Sequence, residues 1–266
     1  MSSSPSESFF ATCPRGLEKL LLGEIESLKG REAAVVPGGV AFSGDWSACY
    51  GVNLWSRIAS RVLWKVSQFD YRDEKHLYEA ARAVDWQKYF PVERTLRVNV
   101  TAQKSPLKSL EFATLRIKDA VCDRFRDDAG RRPDVDRAHP DVRIHAFLEG
   151  ARATLYLDTS GEALFKRGWR HDKGDAPLRE NLAAGLLALS GWDPSKPLID
   201  PFCGSGTILI EAAWMALGAP PGIWRPFHFE RLRCHDQRLW RDIKDEARSM
   251  IAPRLDTPLI GYDINP

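Results

Sequence analysis

No stretch of this sequence approaches the roughly 18 consecutive apolar residues of a membrane-spanning helix, so nothing in it reads as a helical membrane anchor. Cysteine is scarce. The five residues Cys13, Cys49, Cys122, Cys203 and Cys234 are odd in number and far apart. No pair has zinc-ligand spacing and no disulfide framework is implied, which fits a reducing, cytoplasmic setting. Neither sign of charge is in large excess: the net formal charge is +2 over 266 residues, so any nucleic-acid surface must be a local patch. The opening residues 1–8 lack a basic start and an apolar core, and they read as a disordered tail with no signal-peptide character. What is present is ordinary for a globular protein: 44% hydrophobic and 28% charged residues. A chain of this length can bury roughly 70–75% of its unfolded surface and is expected to form two or three domains.

One stretch organises the rest. Leu198-Ile199-Asp200 reads as a buried strand ending in an acid, Pro201-Phe202-Cys203-Gly204-Ser205-Gly206 as a glycine loop, and Thr207 onward as a helix. In an open α/β sheet that order forms a ligand-binding corner at the carboxyl ends of the strands. Gly204 and Gly206 allow a sharp turn and close approach of a ligand, and the first N–H groups of the helix suit an anion. A dinucleotide fingerprint would need Gly or Ala where Leu209 stands, and a P-loop would need Lys where Thr207 stands. A nucleophile elbow fails because Phe202 occupies its first glycine position. Cys203 has no histidine beside it in sequence and reads as a packing residue. A plain glycine turn between a core strand and a core helix is the bland alternative.

Along the chain, Phe9–Thr12 reads as a strand, 17–28 as a helix closed by Gly30, 40–42 as a strand, 46–59 as a helix opened by Asp45, and 62–69 as a strand. This β-α-β-α-β order suggests a ferredoxin-like unit over 9–70. A helix at 76–83 and a strand at 96–100 follow. Next comes a helix lined by Phe112, Leu115, Val121, Cys122 and Phe125, then a hairpin turning at Glu149-Gly150. Helical patterns recur from Pro177 and over 235–251, and Leu259–Asp263 reads as a second sheet strand. The fold class expected is α/β: α+β amino-terminal units followed by the start of a Rossmann-like sheet.

The octet Asp200-Pro201-Phe202-Cys203-Gly204-Ser205-Gly206-Thr207 resembles the first motif of class I S-adenosylmethionine-dependent methyltransferases, in the form carried by enzymes acting on exocyclic amino groups of nucleic-acid bases. Phe10-Ala11-Thr12, Arg15-Gly16-Leu17-Glu18, Gly38-Gly39-Val40, Leu54-Trp55-Ser56-Arg57, Ile117-Lys118-Asp119-Ala120, Pro133-x-Val135-Asp136-Arg137 and Leu157-Asp158-Thr159-Ser160-Gly161 are similar to the amino-terminal region of THUMP-containing RNA methyltransferases. The likeness is greatest to the bacterial family that methylates guanine N2 in large-subunit ribosomal RNA, and it runs from about Phe9 to the last residue. It implies a THUMP RNA-binding domain over 46–160, a methyltransferase domain begun over 161–266, S-adenosylmethionine as cofactor and RNA as partner. Cofactor-binding residues carried over are Asp200, Pro201, Cys203, Gly204, Ser205, Gly206, Thr207 and Asp263, with Asn181 on the preceding helix as a pocket wall. Capping and core packing account for Asn181 equally well.

Asp263 stands 57 residues after Gly206, far beyond the roughly 20 of a simple Rossmann unit, so Gly218–Thr257 is expected to be an excursion from the sheet. An acid at that strand end can accept two hydrogen bonds from ribose hydroxyls. RNA-contact candidates are Lys166, Arg167, Trp169 and Arg170 on the bridge 165–174, and Arg131 and Arg132. The bridge reads equally as a solvated linker with packed aromatics, and the resemblance favours RNA or cofactor contact. Arg131, Arg132 and Arg137 can instead pair with Asp134, Asp136 and Asp141, and the basic stretch 223–254 reads by default as a solvated face. No Asn/Asp-Pro-Pro-Tyr motif, which holds the target amine in this family, occurs in the sequence. The 266 residues are therefore expected to be the amino-terminal part of a longer enzyme and to be inactive alone, with no catalytic residue assigned. A non-catalytic THUMP module, or one half of a split methyltransferase, is the alternative.

Overall fold

The computed structural model describes residues 6–170 and 178–264. In chain order its elements are β1 (Glu7–Thr12), α1 (Glu18–Ser27), β2 (Arg31–Val36), β3 (Gly39–Gly44), α2 (Trp46–Trp55), β4 (Arg61–Asp70), α3 (Glu74–Ala83) and β5 (Leu96–Gln103). They continue with α4 (Leu110–Ala129), β6 (Val142–Glu149), β7 (Arg152–Asp158), α5 (Glu180–Ser190), β8 (Leu198–Asp200), α6 (Thr207–Ala216), α7 (Gln237–Ser249) and β9 (Leu259–Gly261). These fall into two units. One comprises 1–62, 162–226 and 236–266, the other 63–161 and 227–235.

In the first unit β3 pairs antiparallel with both β1 and β2. Phe9, Ala11, Val40 and Phe42 bury their side chains together with Leu21 and Ile25 of α1 and Cys49, Val52 and Leu54 of α2. The order is β-α-β-β-α, with one strand more than sequence periodicity suggests. β2 escapes the pattern because it is exposed along its length, opens Arg31-Glu32, and carries an irregular register between Arg31 and Ala34. β1, on the other side of β3, begins two residues before Phe9. Glu7 and Ser8 pair with Gly44 and Ser43, so ladder partners order polar residues that look like tail in the sequence. Asp45 caps α2 by accepting from the Ala48 N–H at 3.1 Å. The same unit holds β8 and β9, paired parallel, with α5, α6 and α7. Pro177, expected to begin α5, lies outside the described residues, and the helix itself starts at Glu180.

The second unit is a four-stranded sheet in the order β4-β7-β6-β5, antiparallel except for β5 with β6. α3 and α4 pack together and cap on Asp73 and Ser109. Gly130 ends α4 in the left-handed conformation, as a C-terminal glycine should. The buried face of α4 is Ala113, Ile117, Ala120, Val121 and Phe125. Phe112 and Leu115, read from the sequence as core, are 50% and 41% exposed. The apolar pattern of α4 is wider than the sheet it covers, so spacing alone could not choose its inner edge.

The long excursion after α6 contributes to each unit separately. Residues 227–235 belong to the second, where the Phe229 N–H donates to Thr159 O (3.0 Å) and the Arg233 N–H to Tyr89 O (2.8 Å). Gly161, at φ +81°, has the His228 ring so close that a Cβ would lie 2.3 Å from it. α7 belongs to the first unit: Trp240 packs against Tyr50 at 5.6 Å between ring centroids, and the Asp236 N–H donates to the Tyr50 hydroxyl. The exposed face of α7 carries intrahelical pairs such as Arg238–Asp242 and Arg248–Asp245, the solvated face its charge pattern suggests.

Candidate cofactor site

The register Leu198↔Leu259, Ile199↔Ile260, Asp200↔Gly261 brings the ends of β8 and β9 side by side, so two carboxylates 63 positions apart in sequence meet at one loop. Main-chain bonds fix that loop. Tyr262 N–H donates to Asp200 O (2.9 Å), Cys203 N–H to Tyr262 O (2.9 Å), and Gly206 N–H to Cys203 O (2.8 Å). Asp200 turns back to accept from the Phe202 N–H at 3.1 Å, and Asp263 Oδ2 accepts from the Gly204 N–H at 2.9 Å. Gly204 (φ +50°) and Gly206 (φ +72°) both occupy the left-handed region, where any other residue would be strained. A Cβ on Gly204 would meet nothing within 4 Å, so the space over the loop is open. Pro201 is exposed on the same loop.

Gly206, the residue before α6, has no side chain to cap the helix. The N–H groups at the helix start therefore face the open loop with the positive end of the helix dipole behind them. Arg170 is held at the same point. Its Nη1 donates to Ser205 Oγ (3.1 Å) and its Nη2 to Thr207 Oγ1 (2.7 Å), while Nε donates to Glu180 Oε1 (2.9 Å). The guanidinium also lies over the Trp169 ring at 4.8 Å. A cation parked at the positive end of a helix is electrostatically awkward unless an anion joins them. Glu180 is such an anion, paired with Arg170 Nε at 2.9 Å.

Behind the loop is a buried charge network that sequence reasoning missed. Arg167 and Glu211 are 1% and 0% exposed and pair at 3.3 Å. Arg167 also donates to Leu164 O and Arg57 O. Arg57 in turn donates to Trp214 O and Ala219 O at the far end of α6, and burial pulls its guanidinium down to about 10, still charged at neutral pH. Glu24 accepts from Ser56 Oγ and from the Arg57 and Ile58 N–H groups. Asn181 is fully buried and donates to Ile58 O (3.2 Å) and Ser60 Oγ (3.0 Å), while its Oδ1 has no partner among the described residues. Asn181 thus ties α5 to the 56–60 loop. The one readable signal for Glu211 was a lone acid inside an otherwise apolar helix.

The remaining sequence candidates are dispersed. Arg167 is not at the surface: its guanidinium is enclosed by Glu211 and carbonyls, which corrects its reading as an RNA contact. Lys166 is exposed and paired with Glu162 at 2.6 Å. In the other unit Arg131 pairs with Glu93 and Arg132 with Asp123. The partners expected for them were Asp134, Asp136 and Asp141, but Asp141 is taken by Arg94 and Arg231. His171, Asp172, Lys173 and Gly174 lie outside the described residues. Among the described residues no cluster of His, Cys, Asp and Glu could hold a metal ion, and no helix is long and apolar enough to cross a membrane.

Three family models match in succession: an RlmL ferredoxin-like domain over 8–63, a THUMP domain over 71–158 and an RMKL-like methyltransferase domain over 167–266. A crystal structure described as a predicted N6-adenine-specific DNA methylase from Listeria monocytogenes superposes with a TM-score of 0.88 at 34% identity, covering 98% of this chain and 68% of that one. This chain belongs to the THUMP-containing, RlmL-like methyltransferase family. A second structure, a putative methyltransferase complexed with SAH, gives a TM-score of 0.87 at 31% identity, over 98% of this chain and 69% of that one. The ribosomal RNA large subunit methyltransferase K/L of Aliivibrio salmonicida is 41% identical over 261 residues. That alignment takes in 97% of this chain, which spans 37% of the length of the relative. Membership gives the glycine loop a context: β8, the loop, α6 and β9 lie within the stretch matched by the methyltransferase model.

Proposed function

We propose that this chain supplies RNA binding and the glycine-loop side of the cofactor site for S-adenosylmethionine-dependent methylation of RNA, the acceptor being a guanine N2 amino group in large-subunit ribosomal RNA. The observation that carries the reading is the convergence on one loop of a guanidinium, an uncapped helix start and a strand-end carboxylate. That donor set matches the cofactor's chemistry. Arg170 and the first N–H groups of α6 take its carboxylate, and Asp263 accepts from the ribose hydroxyls. Gly204 and Gly206 leave room for it against the backbone, with Asp200, Pro201, Cys203, Ser205 and Thr207 shaping the loop. The bound cofactor supplies an electrophilic methyl on sulfur, and the protein's contribution is to hold acceptor and donor in line. No residue of this sequence is assigned to holding the acceptor amine. The nucleotide class rests on the rRNA-methyltransferase relatives and the THUMP match.

Titration calorimetry with S-adenosylhomocysteine tests the cofactor half. The wild-type protein should bind, and Asp263→Ala should weaken binding about 10- to 100-fold, the loss of charge-assisted hydrogen bonds worth ~1.5–3 kcal/mol. Unchanged affinity in Asp263→Ala would remove that residue from the site. RNA binding without any cofactor binding would replace the proposal with a non-catalytic THUMP module.

A further inference from the structure

Of the ten residues of α6 only Thr207, Glu211 and Ala212 are buried. No large apolar side chain is among them, so none keys the helix into its place. Both buried polar groups instead meet an arginine of the bridge. Thr207 and Glu211 stand four residues apart, one turn along one face of the helix, and Arg170 and Arg167 stand three apart. Arg170 Nη2 donates to Thr207 Oγ1 at 2.7 Å. Arg167 meets Glu211 side-on, Nε to Oε1 at 3.3 Å and Nη2 to Oε2 at 3.4 Å, so both carboxylate oxygens are engaged. The same guanidinium is fixed independently of α6, by Leu164 O at 2.9 Å and Arg57 O at 2.7 Å. The bridge is itself anchored there: the Leu164 N–H donates to Ser60 O at 2.8 Å, and Arg225 Nη1 to Ala163 O at 2.7 Å. Arg167 is therefore a fixed fork, and Glu211 is the part of α6 that fits it.

Stability alone does not call for such a pair. Two ions taken out of water recover little more than their desolvation cost, and apolar side chains of similar volume are often as stable. What an apolar contact does not supply is direction. Methyl-sized surfaces tolerate a small slide or roll of the helix. A shift of about 1 Å in this pair would leave buried N–H and carboxylate groups unbonded.

We propose that Arg167 and Glu211 are positioning residues for the cofactor: their pair sets the axial register and roll of α6, and so places Thr207 and the first N–H groups of the helix against Arg170. Neither side chain, at 1% and 0% exposed, touches the ligand. The inference rests on the cofactor half of the proposed function, in which the start of α6 takes the carboxylate, and is independent of the RNA half.

Calorimetry with two probes decides it: S-adenosylhomocysteine, which carries the amino-acid carboxylate, and 5′-methylthioadenosine, which shares the nucleoside and lacks that carboxylate. Arg167→Met with Glu211→Leu removes the fork without leaving a lone buried charge. The double variant should bind S-adenosylhomocysteine about tenfold more weakly, the scale of a small misplacement, and 5′-methylthioadenosine less than about twofold more weakly. Arg167→Lys keeps the charge and loses the fork, and should show the same split at about threefold. Circular dichroism melting checks that each variant folds, and the lysine variant decides the matter if the double variant does not. Unchanged S-adenosylhomocysteine affinity in a folded variant, or equal losses for the two probes, overturns the inference and leaves the pair a structural one. A wild-type protein that does not bind S-adenosylhomocysteine, or binds 5′-methylthioadenosine as tightly, refutes the cofactor half of the proposed function and the inference with it.

Discussion

Gly261 offers the sharpest test of how the cofactor loop is held. A Cβ built there would lie 2.6 Å from Leu209 Cδ1, 2.8 Å from Cys203 Sγ and 3.1 Å from Cys203 Cβ. Ordinary carbon contacts begin near 3.5 Å, so Gly261→Ala requires shifts of roughly 0.5–1 Å. Leu209 can rotate away. Cys203 cannot easily follow, because its N–H is bonded to Tyr262 O and its carbonyl to the Gly206 N–H. Gly261 does not have a positive φ, so alanine adds no backbone strain and the effect is steric alone. Overpacking of this kind costs about 1–3 kcal/mol. Displacement of the glycine loop should also weaken S-adenosylhomocysteine by about tenfold. Urea unfolding reads the first quantity and calorimetry the second. Adding Cys203→Ala removes the sulfur contact and leaves the other two, so the double variant should recover part of both losses. If Gly261→Ala loses under about 0.5 kcal/mol and binds the ligand normally, β9 does not set the loop's position and the steric argument fails.

Glu211→Gln leaves the guanidinium of Arg167 buried beside a neutral partner and should cost about 3–5 kcal/mol in urea unfolding, whereas Arg167→Met with Glu211→Leu should cost much less. An equal loss in both would mean that packing, not charge, holds that site. Burial pushes the Glu24 carboxyl above its ordinary 4.5, against the pull of bonds from Ser56, Arg57 and Ile58. The folded state therefore holds a proton that the unfolded state releases, so this group's stabilisation is complete below about 4.5 and is lost as pH rises through the folded value. The slope is at most ~1.4 kcal/mol per pH unit, and the difference between wild type and Glu24→Gln in unfolding free energy should show it; a flat difference refutes the assignment. Burial, with Glu18 and Glu24 nearby, raises the Cys13 thiol to about 12. Iodoacetamide at pH 8 should leave Cys13 unmodified in the folded protein and label it in urea, as peptide mass spectrometry will show; rapid native labelling would contradict it.

The strand–glycine loop–helix corner was legible because its determinants are local. A strand, two glycines that must take left-handed backbone and a helix start lie within ten residues, and only the distance to Asp263 had to be explained. The excursion that accounts for it divides between the two units, and no periodicity in its sequence announces that. β2 was hidden because an exposed edge strand needs no alternating pattern. The inner face of α4 was misjudged because Phe112 and Leu115 sit at core spacing yet face outward. Arg167 failed for a different reason. A basic residue beside a tryptophan looks like a surface contact until its partner is known, and Glu211 lies 44 positions away.

The buried network gives the amino-terminal residues a part in holding α6, which follows the glycine loop. The 56–60 loop is gripped from one side by Glu24 and from the other by Asn181, and Arg57 reaches out of it to the carbonyls at the end of α6. Arg57 thus meets the negative end of α6, while Arg170 stands at its positive end with the glycine loop. A cation at the carboxyl end of a helix is favourable, and one at the amino end is not. The two arginines are therefore unequal. Arg57 has two carbonyl partners through Nη2, and its buried Nη1 has none among the described residues. Arg170 is paired with Glu180 and bonded to Ser205, Thr207 and Leu178, so the fold places its own carboxylate beside the cation at the amino end of α6.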